Sequence, residues 1–198
     1  MRQRLIDAAI TCLHTVGYAA TTTQLVIETA EVSRGAILHH FPTKVDLMLA
    51  IAEYAAGKQN RHVGRILREV PEGMQRFLAI TDATWSAMKQ PAAQAFIEIM
   101  MASRSEVELA DRLAHVIESV ESYQRENVWE AARALGIQDR DTVVTMVRLH
   151  VAAMRGIAIE LNVQGDEATA DACMQLLNRY KRTLTGELLT MAPKTPDV

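Results

Sequence analysis

From Leu5 to Leu188, the apolar residues of this chain return at intervals of three and four, the period of helices that each bury one face. No stretch sustains the alternation of a half-buried strand, and the one β-branched run, TTTQLVIET, lies inside helical patterning. An all-α fold follows. Gly17, Pro42, Pro71, Pro91, Gly136 and Gly165 interrupt the pattern where helices stop, which predicts about nine helices. No internal repeat or low-complexity tract is present.

The first helix buries Ile6, Ala9, Ile10 and Leu13 and stops at Gly17. A short second helix starts after Thr22, an N-cap type, and runs to about Ala30. The third begins after Ser33 and ends before Pro42. Thr43 with Asp46 resembles a capping box at the head of a fourth helix, which buries Leu47, Ile51, Tyr54 and Ala55, passes Arg65 and closes by Pro71. Longer segments follow. Their stripes are Met74, Phe77, Leu78, Thr81, Trp85 and Met88; then Phe96, Ile97, Met100 and Met101; then Leu109, Leu113, Ile117, Val120, Gln124 and Val128. Helices over 140–162 and 167–191 complete the chain, and the tail MAPKTPDV is expected to fray.

With 198 residues, 49% apolar and 23% charged, one large or two small globular domains are expected. No segment approaches the ~18 uninterrupted apolar residues of a membrane span. The opening MRQRLIDAAITCLHT interrupts its apolar run with Asp7, Thr11 and His14, and no small-residue cleavage site follows. It predicts no signal peptide and a cytoplasmic protein. Cys12 and Cys173, at apolar helix phases, are expected as reduced thiols that pack like small hydrophobes. No catalytic, metal or cofactor motif occurs, so no catalytic residue, metal or cofactor is assigned and an enzyme is not expected. The net charge of −3 hides an asymmetry. Residues 1–68 hold eight Lys/Arg against five Asp/Glu, and the rest hold thirteen against nineteen. A basic head on an acidic body suits a partner with phosphates at one end.

The turn between the second and third helices carries the most information. Two short helices joined by three residues match a helix-turn-helix, whose second helix can enter the major groove with its N-terminal residues at base edges. Ser33, Arg34, Gly35 and Ala36 open that helix. Arg34 offers a fork that fits guanine O6 and N7, and Gly35 lets the backbone come close. Thr22, Thr23 and Gln24 open the preceding helix, where hydroxyls and N–H groups suit phosphates. Lys44, at the start of the fourth helix, is placed for the adjacent DNA backbone.

Residues 5–47 resemble the DNA-binding head of the TetR family of bacterial transcriptional regulators. The matching elements are the AA of LIDAAI, GY at 17–18, TT at 21–22, A-x-V-S at 30–33, Gly35, HF at 40–41, and Lys44 with Leu47. The resemblance implies a DNA-binding head over 1–46 and a ligand-binding and dimerisation domain over 47–198, connected by the fourth helix at 44–68. It also implies a homodimer that binds a double-stranded operator and is released by a small-molecule effector, with repression the family's common mode. Three positions depart from the pattern. Glu31 replaces the turn glycine, costing about 1 kcal/mol if φ is positive. Ile27 stands where alanine is frequent. Leu38 replaces a phosphate-bonding tyrosine, which lowers the salt slope of binding by about one unit.

Adjacent His39 and His40 invite a metal reading, but neighbours on a helix diverge by about 100°. The resemblance implies DNA contact for both, ahead of a solvated helix end or a metal site. In the body, Trp85, Met88, Phe96, Met100, Tyr123 and Trp129 are either core or the lining of a ligand pocket, and Arg104 is grouped with them. Arg104, His115 and His62 are candidate polar anchors for an anionic or carbonyl-bearing effector, with a surface role as the alternative. Met146, Val147, His150, Met154, Ile157 and Leu161 form one seam. Cys173, Leu177, Tyr180, Leu184 and Leu188 form another. Together they suit a four-helix dimer interface, or else burial within one subunit. Rival readings are a regulator controlled by a protein partner and a metal sensor built on His62, His115 or His150.

Overall fold

The computed structural model describes residues 1–191. Within them the chain forms nine α-helices, a single 3-10 turn and no strand. The helices are α1 (Arg2–Ala20), α2 (Thr23–Ala30), α3 (Arg34–His40), α4 (Lys44–Arg68), α5 (Met74–Met88), α6 (Pro91–Ala102), α7 (Val107–Arg133), α8 (Arg140–Gln164) and α9 (Glu167–Met191), with the 3-10 turn at Ser103–Ser105. Of the tail MAPKTPDV only Met191 is described; the expectation of fraying lies on residues outside the described ones. Gly17 does what its place in the sequence indicates. Its backbone (φ 73°, ψ 178°) breaks α1 before a last turn, in which the Thr21 hydroxyl donates to the Gly17 carbonyl at 2.7 Å.

Packing divides the chain into two units that are discontinuous in sequence. One joins residues 1–61 to 89–120, and the other joins 62–88 to the described residues from Glu121. In the first, α1 packs on α2 and α6, and Leu5, Ile6, Leu13, Ile51 and Leu113 are almost wholly buried. Each such side chain contributes about 1.5–3 kcal/mol. The stripe of α6 differs from the expected one. Ile99 is fully buried and Met101 is 51% exposed, because Ala92, Ala95, Phe96 and Ile99 keep the three-four spacing through small residues that pattern reading underweights.

In the second unit, α5, α8 and α9 pack pairwise. Phe77, Thr81, Trp85 and Met88 of α5 are buried as their stripe indicates. Of the seam read on α8, Met146, Val147, His150 and Met154 are buried inside the subunit, the alternative reading of that seam, while Ile157 and Leu161 are half-buried. On α9, Cys173 is exposed, against expectation, and Tyr180 is 43% exposed. The inward stripe is Ala170, Met174, Lys181, Thr185 and Leu188. Two of these five are polar enough to mask the true phase from hydropathy. By length and composition α8 could cross a membrane, a test that a core helix also passes; here it packs on α5 and α9.

Candidate nucleic-acid interface

The helix-turn-helix is built by caps at its three junctions. The Thr22 hydroxyl accepts from the Leu25 N–H at 3.1 Å, and the Ser33 hydroxyl from the Ala36 N–H at 3.3 Å, satisfying donors that a helix start leaves open. Between them α2 ends on Glu31, which takes the left-handed conformation (φ 50°, ψ 52°). The Val32 N–H then reaches back to the Ile27 carbonyl at 3.2 Å, closing the helix as a glycine would. The Glu31 carboxylate pairs with Arg4 at 3.3 Å, both groups exposed. Ile37 and Phe41, 1% and 3% exposed, seat α3 on the core, which turns its other face to solvent.

That face carries most of the expected DNA contacts. Thr22, Thr23, Gln24, Ser33, Arg34, Gly35 and His39 are exposed; Ala36, His40 and Lys44 are half-buried. A Cβ added at Gly35 would meet only the Ser33 hydroxyl, at 3.9 Å. Neither space within the chain nor its own backbone conformation requires glycine there. The Gln24 amide donates to Glu28 within α2 at 2.7 Å. The rings of His39 and His40 meet edge to face with centroids 5.1 Å apart. Leu38, in the place of a tyrosine, is 51% exposed, and Ile27 packs half-buried against the core.

Lys44 is engaged within the chain. Its ammonium donates to the Tyr18 carbonyl at 3.1 Å and lies 4.1 Å from the centre of the Tyr18 ring. Burial lowers its pKa, and Glu106 opposes that shift. The Tyr18 hydroxyl donates to Glu106 at 2.8 Å, and burial, then Glu106, raise its pKa above the ordinary tyrosine value. Asp46 closes the capping box: Thr43 N–H and hydroxyl donate to one carboxylate oxygen at 3.0 and 2.8 Å, and the Asp46 N–H donates back to the Thr43 hydroxyl at 3.1 Å. Its other oxygen accepts from Arg112 on α7 at 2.8 Å. Arg112 first, then Thr43, hold the Asp46 carboxyl below its usual range. The first turn of α4 is thus tied both to the end of α1 and to α7. Sequence reading missed these ties, since the partners stand 26 and 66 residues apart.

Residues 5–51 match the family model described as bacterial regulatory proteins, tetR family. That match covers the helix-turn-helix and the helices that flank it. An uncharacterised HTH-type transcriptional regulator of Mycobacterium tuberculosis is 27% identical over 132 residues, 67% of this chain and 66% of the relative; the chain spans just under two thirds of that relative's length. The HTH-type transcriptional regulator CymR of Pseudomonas putida is 27% identical over 173 residues, covering 83% of this chain and 80% of CymR. A transcriptional regulator from Rhodococcus sp. Rha1 shares the fold, with a TM-score of 0.72 at 20% identity over 98% of this chain and 99% of that one.

The seven expected effector residues divide between the two units. Phe96, Met100 and Arg104 belong to the first; Trp85, Met88, Tyr123 and Trp129 belong to the second. Trp85, Met88 and Phe96 are buried, Met100 and Trp129 half-buried, Tyr123 and Arg104 exposed. Of the candidate anchors, His115 is exposed like Arg104, and half-buried His62 bonds to the Ser86 hydroxyl at 3.0 Å. Buried polar groups lie elsewhere. Lys181 is 2% exposed, donates to the Phe77 carbonyl and lies 4.4 Å from the centre of the Phe77 ring. His150 is 5% exposed, and its Nδ1 is 2.8 Å from the Met146 carbonyl. A lysine in step with Met174, Thr185 and Leu188 was the available signal for the buried Lys181.

Proposed function

We propose that this chain is a TetR-family DNA-binding transcriptional regulator: a homodimeric repressor that a small-molecule effector releases from a pseudo-palindromic operator. The observation that carries the DNA-binding part is α3 itself, seated by Ile37 and Phe41, capped by Ser33, and holding Arg34 and Gly35 in solvent. Arg34 reads a guanine, while Thr22, Thr23, Gln24, His39 and His40 supply backbone contacts. Lys44, held by Tyr18, fixes α4 more than it binds phosphate. The functional division follows the sequence reading, with a head over 1–46, a body over 47–198 and α4 between them. Exposed Leu149, Ile159 and Val163 on α8, with Leu176 and Tyr180 on α9, support dimerisation through these helices. Two heads would then meet half-sites about one helical turn apart. Release requires the effector to favour one spacing of the heads over the other. A regulator of this kind acts in the cytoplasm.

Selection of binding sites from random duplexes by the purified protein, at two salt concentrations, tests the proposal. One inverted repeat with steep salt dependence is expected. Weak binding with no recovered motif would count against operator recognition.

A further inference from the structure

We infer that Leu38 reads a thymine by contact with its 5-methyl group, a determinant of sequence preference on α3 besides Arg34; this rests on the operator-binding reading above. The burial pattern of α3 sets the face. Ile37 and Phe41 lie against the core, Ala36 and His40 are half-buried, and Arg34, Gly35, Leu38 and His39 are exposed. Those four stand at i, i+1, i+4 and i+5, the spacing of one side of a helix. They include a cation and no carboxylate, as a groove walled by phosphates requires.

Leu38 is the one large apolar residue of that face. Leu25, Ile27 and Val32 of the same motif are drawn onto the core, while Leu38 stays 51% exposed. Its side chain has no hydroxyl or charge to offer a phosphate. The floor of a major groove presents N7, O6 and O4 acceptors, the amino donors of adenine and cytosine, and one kind of apolar group, the thymine 5-methyl. Of these only the methyl gains from leucine, because their contact takes apolar surface of both partners out of water. A cytosine in the same place has no methyl at C5, so the contact separates the two pyrimidines.

The register follows from helix geometry. Leu38 lies four residues beyond Arg34, a rise of about 6 Å, and successive base pairs are stacked roughly 3.4 Å apart. The thymine therefore stands within about two base pairs of the guanine that Arg34 reads. Arg34 and Leu38 together recognise a short step in each half-site, one by a hydrogen-bonding fork and the other by a methyl contact.

The test uses the full chain and the duplex recovered by site selection, with each thymine replaced in turn by deoxyuridine. That exchange removes a methyl and keeps every hydrogen-bonding group of the base. One exchange in each half-site, close to the guanine whose preference Arg34→Ala relaxes, should weaken wild-type binding about fourfold, the value of one buried methyl group. Leu38→Ala changes an exposed residue to a good helix former. It should bind the thymine and deoxyuridine duplexes equally at that position and keep the wild-type preference for the guanine. The comparison of two duplexes is internal to each protein, so it holds whatever the substitution does to stability. A wild type indifferent to every exchange, or a Leu38→Ala protein with the same fourfold response, overturns the assignment and leaves operator binding standing. Recovery of no sequence motif at all removes the operator-binding reading, and this inference with it.

Discussion

Lys44 in the first packing unit and Lys181 in the second make the same local contacts: each donates to a backbone carbonyl and lies over the ring of the residue that owns it, Tyr18 or Phe77. Their surroundings differ. Lys44 is half-exposed and has Glu106 close by, on the Tyr18 hydroxyl; Lys181 is 2% exposed and feels Asp82 only from a distance. A buried charge without a counter-charge opposes folding. The first unit therefore holds its charges in a closed set of pairs around the start of α4, which fixes a surface in advance of its partner. The second buries a lysine that no carboxylate of the described residues pairs with.

Replacing both lysines by methionine is the strongest way to break this comparison. Lys181→Met should stabilise the chain by about 1–4 kcal/mol at neutral pH, as apolar replacements of buried charges do, whereas Lys44→Met should lower stability by about 1 kcal/mol or less. Urea unfolding measures both, and equal effects would dissolve the contrast. The pH profile sharpens it. The folded pKa of Lys181, about 7, lies below its ordinary 10.5, so between these values the unfolded chain binds more protons and stability rises with pH. Below about 7 this contribution is level. His150, also lowered, adds a rise that is complete by its ordinary value. The wild-type urea midpoint should climb from pH 7 to 10, and Lys181→Met should flatten the climb; a flat wild-type profile would mean that Lys181 is charged and well solvated.

A second, smaller effect concerns the closed set. Tyr18→Phe removes the donor to Glu106 and leaves a half-buried carboxylate without that partner, at about 1–3 kcal/mol. Tyr18→Phe combined with Glu106→Leu should recover most of the loss, because two apolar groups replace a broken pair. No recovery would show that Tyr18 acts through packing alone.

The difference between the units also decides how much could be read from the residues. In the head, local chemistry specifies local structure: Thr22 and Ser33 cap, Gly17 breaks α1, Asp46 completes its box with Thr43, and each interaction spans four residues or fewer. The number and limits of the helices were legible for the same reason. The phase of α9 was not, since Lys181 and Thr185 occupy its inward face and a polar residue reads as solvent-facing until its partners are known. The ties from Tyr18 to Glu106 and from Asp46 to Arg112 were equally hidden, because only the folded chain brings such distant residues together. The effector residues suffered from a third ambiguity: a buried Trp85 or Phe96 satisfies a core and a pocket alike.

Cap removal tests the head at a smaller scale. Ser33→Ala should cost about 1 kcal/mol of stability and weaken operator binding on every sequence alike, since the hydroxyl orders α3 and reads no base. Arg34→Ala should instead relax preference at one base pair, by about 1–3 kcal/mol of affinity for the favoured base. A competition assay with single-base operator variants separates the two. Should Ser33→Ala change preference at one position only, the hydroxyl touches a base and its role as a cap is secondary.

The smallest effect falls on the one strained residue of the head. Glu31 is the only described non-glycine residue with positive φ, and Glu31→Gly should relieve about 1 kcal/mol of backbone strain. Against this stands the loss of the exposed pair with Arg4, about 0–1 kcal/mol. The net is a gain of a few tenths of a kcal/mol, measurable beside Arg4→Ala, which breaks the pair and keeps the strain. Removing the carboxylate also takes a negative charge away from the turn that precedes α3, so operator affinity should rise most at low salt, where screening is weakest. If Glu31→Gly instead destabilises the head by more than Arg4→Ala does, the side chain at this turn holds α2 and α3 in register by contacts beyond Arg4, and the glycine common in the family is not the better residue here.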